Sequence, residues 1–397
     1  MSLENLPLKV GAGRSEIVFP EAMFPMEEGF VSIHDNPHAR VMLMERGDQV
    51  AVVSLELIIC PKDCVDEIKR IISEKTGTPQ ENVWVHVTHV FCTPHAPRDP
   101  ENRALFCDAV VTAVTAATNQ AAETLREAKI GVGTGKTSVI ANCNVKTKDG
   151  YMAGLNGEGP SDPALTVLRA ESLDGTVIGL LFACAAKSYC ADVSRGTGGR
   201  EITSDFTGYA AATLEKEIGA PALFFMTAAG DQHPVKAAMD VAVKDDGTYE
   251  TIDLGVREGL KIAEELGAVF AGEVIAVASS VICDKLDVKV ICTGSTYTWA
   301  TRDGGEAEIA VEAMRIGDTA FIGVMQEINC ATALELKEAS PFENTVLMTF
   351  VNGDRYYMPD AKAYEINTVE TKRTGLIAGG AERLVAVSVE LLEGMKK

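Results

Sequence analysis

Three stretches of this chain share one layout, and that layout limits the folds open to it. Ala39–Leu57, Leu165–Cys184 and Val311–Glu327 each read as an apolar strand, a Gly/Asp turn and a second apolar strand. The turns are Arg46-Gly47-Asp48, Asp174-Gly175 and Ile316-Gly317-Asp318, residue types that accept the backbone angles of a tight reversal. Each second strand runs out into polar residues: Glu56, then Lys187 and Ser188, then Gln326 and Glu327. Between the hairpins the period changes. Asp63–Lys75 places Val65, Ile68, Ile71 and Ile72 on one helical face and stops before Gly77 and Pro79. Further helices are expected over Ala104–Ala128, Asp205–Ile218 and Gly255–Leu266, the last followed by another through Val274–Ala278. Val83–Val87 and Ala222–Thr227 read as buried strands. Hairpin-plus-helix units of this kind predict an α/β fold of layered mixed β-sheets flanked by helices. Gly150–Pro160 and Val193–Arg200 read as long loops, and no Pro/Gly/Ser linker divides residues 1–397, which points to one catalytic unit.

Charge narrows the partners. With 36 Lys+Arg against 57 Asp+Glu the net charge is −21, which argues against nucleic acid and anionic membrane surfaces, since both need basic patches. A small-molecule substrate is the expected partner, and assembly into a homo-oligomer stays open. No apolar run reaches the roughly 18 residues of a membrane span, and no leader pattern opens the chain. The ten cysteines contain no CxxC pair and read as reduced thiols. A cytoplasmic protein is therefore expected.

Several motifs can be excluded. Gly131-Val-Gly-Thr-Gly135-Lys136-Thr137 lacks the leading glycine of a phosphate loop, which would stand at Ile130. Neither GxSxG nor HExxH occurs, which removes a serine elbow and a helical zinc-protease site. The six histidines carry the remaining signal. Alternation in Val83–Val87 puts the three valines on one face and Trp84 and His86 on the other, so His86 reads as core. His89 falls at the strand end, with Cys92, Pro94 and His95 following in a loop. His34 and His38 flank Asp35-Asn36-Pro37, a turn sequence. Asp231-Gln-His233-Pro234 follows a buried strand and can bring a carboxylate and an imidazole to the sheet edge.

In order along the chain, these pieces resemble the catalytic domain of the neutral/alkaline non-lysosomal ceramidases. The resemblance rests on Val10-Gly-Ala-Gly-Arg14, His34-Asp35-Asn36-Pro37-His38-Ala39-Arg40, Val53-Ser54-Leu55-Glu56 and Thr88-His89 with Pro94. It continues through Thr203–Tyr209, Ala228-Ala229-Gly230-Asp231, Gln326-Glu327, Ser340-Pro341-Phe342, Asn352-Gly353 and Tyr357-Met358-Pro359. It implies a zinc amidohydrolase whose metal ligands here are His89, Glu327 and Tyr357. Activated water at such a metal attacks an amide carbonyl. Catalytic roles fall to His34, His95, Asp231 and His233, with Asp231 fixing the tautomer of an imidazole, and substrate contacts to Ser204, Asp205 and Cys92. The chain departs from the family pattern at three positions. The second histidine ligand is replaced by Ala185, the histidine two residues after His89 by Phe91, and the serine after Gly-Asp by His233.

Two outcomes stay open: a metal site rebuilt with His95 or His233, or a site without zinc that uses His, Asp and Cys chemistry, including a Cys92 thiolate. The expected activity is hydrolysis of an amide or lactam C–N bond in a small soluble substrate. The alternatives are a binding relative without catalysis, and a metal-free isomerase or lyase. The family's C-terminal β-sandwich domain is expected to be missing.

Overall fold

The computed structural model describes residues 6–193, 199–286, 288–353 and 356–396. Its largest sheet has eight strands. In chain order they are β1 (Lys9–Glu16), β2 (His38–Arg46), β3 (Asp48–Leu55), β4 (Val83–Val87), β5 (Arg126–Lys136), β6 (Ala164–Ser172), β7 (Val177–Cys184) and β8 (Ala222–Met226). They lie in the order β8-β7-β6-β5-β1-β2-β3-β4. A second sheet runs β9-β10-β11-β12, from Val290–Ala300, Glu306–Ile316, Thr319–Val324 and Asn344–Met348. The three sequence hairpins are β2–β3, β6–β7 and β10–β11, each antiparallel. Strands β4, β8 and β12, each reached after an intervening helix, pair parallel, as crossover connections require.

Burial on both faces of the sheets builds four layers. One face of the large sheet buries Val41, Val53, Val85 and Phe182 beneath helices that include α1 (Lys62–Thr76), α2 (Pro100–Thr124), α3 (Asp205–Ile218) and α4 (Gly255–Ser280). Its other face packs Met42, Val52, Trp84, Leu181 and Phe225 against Met314, Phe321 and Val346 of the second sheet. Helices Cys330–Ala339 and Gly380–Lys396 cover the outside of that sheet through Leu336, Leu384 and Leu392. The alternation read in Val83–Val87 holds. The valines face the helices and Trp84 faces the sheet interface, while His86 is wholly buried, its Nε2 accepting from Met226 N at 3.1 Å.

Alanine-rich α2 sits unusually close to β1, and glycine is what permits it. A Cβ on Gly13 would lie 2.1 Å from the Ala117 carbonyl oxygen, and one on Gly11 equally close to that of Ala121. Gly13→Ala is therefore expected to cost about 1–3 kcal/mol, the usual range for overpacking; urea unfolding with an unchanged midpoint would show that the helix can move away.

Some expectations shift. The helix foreseen over Ala104–Ala128 stops at Thr124, because the chain is already extended at Leu125 and pairs as β5. The two helices expected after Gly255 are one, Gly255–Ser280. Gly267 does not interrupt it, since its bare Cα lets the helix approach Phe206 and Tyr209 of α3. The loop expected over Gly150–Pro160 contains a strand, Gly150–Asn156, paired with Ile140–Thr147. In the stretch Val193–Arg200, residues 194–198 lie outside those described, and Arg200 starts a short strand beside Phe30–Ile33. All ten cysteines are free of disulfides and none is exposed. Among the described residues no helix is long and apolar enough to cross a membrane.

Candidate active site

Strand ends supply the site. The segments leaving β4 and β7 run side by side, bridged at Val90 and Ser188, with Phe91 N donating to Ser188 O at 2.9 Å. This sets His89 near Lys187. Beyond β11, Glu327–Ile328 pairs parallel with Tyr357–Met358, and the register places Glu327 opposite Tyr357. His89 Nε2 stands 3.9 Å from Glu327 Oε1, and Lys187 Nζ forms an ion pair with the same oxygen at 2.7 Å. Lys187 also donates to Gly230 O at 3.1 Å and lies 5.7 Å from the centre of the Tyr357 ring.

His89 is held hard. Its φ is +56°, a region a non-glycine residue rarely adopts and one that concentrates at functional sites. Phe350 and Asn352, whose φ values are +50° and +61°, share the feature, and the Phe350 ring lies 4.5 Å from the imidazole. Nδ1 is 2.8 Å from the Ile58 carbonyl. A carbonyl only accepts, so Nδ1 carries the proton and Nε2 presents its lone pair to Glu327. Burial pushes the His89 pKa down to about 4, outweighing the pull of Glu327, and the ring is neutral.

Electrostatics decide the state of the other groups. Burial disfavours the Lys187 charge, but Glu327 beside it, together with the other groups around it, more than offsets this and lifts its pKa above the ordinary lysine range. Burial, reinforced by the Glu327 charge, raises the Tyr357 phenol. The cluster is an ammonium, a carboxylate, a phenol and a neutral imidazole.

Lys187 and Tyr357 open onto a cavity of about 530 Å³, walled also by Phe91, Tyr189, His233 and Arg373. His89 and Glu327 stand behind them. His233 is buried, with Nδ1 2.7 Å from the Pro234 carbonyl, so Nε2 is the unprotonated nitrogen. Burial lowers its pKa.

The structure thus brings His89, Glu327 and Tyr357 together, with His233 on the same cavity, and places the remaining candidates elsewhere. Asp231 does not orient an imidazole. Its carboxylate accepts from Cys330 N at 2.8 Å and Gln232 Nε2 at 3.1 Å, faces a smaller cavity with Asn142 and Asn329, and is raised to about 6 by burial. Backbone carbonyls fix both tautomers instead. His95 Nδ1 pairs with Glu28 at 2.7 Å beside a separate cavity. His34 lies 3.7 Å from Glu201, and His38 3.4 Å from Glu56. Ser204 donates to Asp35. Asp205 accepts from Cys190 N and Ala191 N at 3.2 and 2.9 Å, so it fixes the segment that carries Lys187 and Tyr189. Cys92 bonds Asp205 at 3.5 Å. Burial and that carboxylate push its thiol well up, which opposes a Cys92 thiolate. Lys187 was the group missed. Its signal was its place at the exit of a repeated hairpin.

Zinc does not fit this arrangement. Three donors converge, but Ala185 offers no fourth, and neither His95 nor His233 bonds to the cluster. The Lys187 ammonium already stands against the Glu327 oxygen a metal would need. A divalent ion at the roughly 2 Å of a Zn–O bond would meet that charge at short range.

No family model matches this sequence, and no curated protein does. Solved structures do. A neutral ceramidase from Pseudomonas aeruginosa is similar with a TM-score of 0.73 and 15% identity, over 98% of this chain and 75% of that one. A ceramidase structure described as complexed with C2 is similar with a TM-score of 0.75 and 15% identity, over 98% and 76% of the two chains. At such low identity the likeness is one of architecture: this chain has the fold of the neutral ceramidases.

Proposed function

We propose that the protein hydrolyses a C–N bond, amide or lactam, in a small soluble substrate bound over Lys187 and Tyr357. The observation that carries this is the placement of a buried ammonium and a phenol on one cavity wall with a neutral imidazole, His233, on the same cavity. A carbonyl oxygen facing Lys187 would receive two charge-stabilising donors as it becomes an oxyanion. His233 Nε2 would take a proton from the attacking water and return it to the leaving nitrogen. Glu327 and the Gly230 carbonyl hold Lys187 in place. The strongly negative chain supports a small-molecule partner over a polyanion.

A turnover assay across small amides and lactams tests the reading. Lys187→Met is expected to lower kcat by ~10²–10³, the scale of losing an oxyanion donor. His233→Ala is expected to lower it by ~10² or more. Rates unchanged in both variants would sink the hydrolase assignment. The Lys187–Glu327 pair favours a second reading, a pocket that binds without reacting. In that case no substrate turns over, while ligand binding still depends on Lys187.

A further inference from the structure

We infer that the side chain of Lys187 is this site's own cation, occupying the place where His89, Glu327 and Tyr357 would otherwise hold a divalent metal. His89 Nε2 and Glu327 Oε1 both present electron pairs and face each other at 3.9 Å, an arrangement that needs a positive centre beside it. The parallel strand pairing sets Tyr357 opposite Glu327. Both carbonyl-fixed His89 and the strand-paired Glu327 and Tyr357 are positioned by backbone, so the donor set does not depend on Lys187 for its geometry. The only cation found at this set among the described residues is Nζ, 2.7 Å from Glu327. A flexible four-carbon stem reaching in from the end of β7 supplies a tethered charge where the neighbouring Ala185 supplies nothing.

This rests on the same site as the proposed hydrolase, but it is read by metal content rather than turnover, so the two can fail separately. Wild-type protein, Lys187→Ala and Lys187→Ala/Glu327→Gln are equilibrated with zinc chloride, desalted and assayed for bound metal. The expected result is no zinc in the wild type, one equivalent in Lys187→Ala with a zinc-dependent rise in Tm, and none in the double variant. If Lys187→Ala folds only when zinc is present, the inference gains support. One equivalent in the wild type that is lost on Glu327→Gln would overturn it. So would a folded Lys187→Ala protein that takes up no zinc.

Discussion

Lys187→Met is expected to destabilise the protein by about 3–5 kcal/mol, the usual cost of removing one partner of a buried ion pair. The reason lies in what stays behind. The Glu327 side chain is 4% exposed, and removing Nζ takes away the ammonium 2.7 Å from its Oε1. Water cannot easily replace the ammonium, and a desolvated carboxylate is costly. Adding Glu327→Gln removes the orphaned charge, so the double variant should recover much of the loss. Urea unfolding of the four proteins gives the coupling directly. Equal additive losses would mean that the pair contributes no mutual stabilisation and that Lys187 is held by packing alone.

The second large effect sits outside the cavity. Arg40, 1% exposed, bonds Glu215 at 2.7 Å and Glu56 at 2.5 Å, and Arg14 joins Glu215 from the surface. These residues tie β1, β2 and α3 to the exit of β3. Burial works against the Glu56 charge, but Arg40 and the hydrogen bonds around it bring its pKa down to about 2, from 4.5. A carboxylate depressed in the folded state stabilises fully above its unfolded pKa and loses that contribution as pH falls through the folded value. The window is therefore roughly pH 4.5 to 2, and the shift corresponds to ~3 kcal/mol. Stability measured against pH should fall across that window in the wild type and flatten there in Glu56→Gln. Arg40→Met, which strands two carboxylates, should cost at least the 3–5 kcal/mol expected of a broken buried pair. A parallel acid limb in Glu56→Gln would show that other carboxylates drive the loss.

Much of the architecture was legible because period and punctuation agreed. Strand Val83–Val87 and helix Asp205–Ile218 have the bounds expected from sequence, and the three Gly/Asp turns fall where expected. Legibility failed where tertiary packing overrides local signals. Gly267 looks like a break until the approach of α3 explains it, and Leu125 leaves the helix to feed a sheet. At the site, only His89 was readable from the residues, at a strand end; Glu327 and Tyr357 joined it through the family resemblance. Lys187 was not readable as their partner. Nothing in one sequence says that a side chain two positions after Ala185 turns toward a carboxylate 140 residues away (327 − 187). His34 and His95 were ambiguous for the same reason. Their partners, Glu201 and Glu28, are set by loop packing that spacing does not encode.

The central claim is that this cavity works with a tethered ammonium as its positive centre. Its most direct test is the turnover of a small amide or lactam by wild-type protein before and after exhaustive chelation, alongside Lys187→Met. The expected result is a rate untouched by chelator and lowered by ~10² or more in the variant. A rate abolished by chelation and restored by zinc, with Lys187→Met still active, would contradict it.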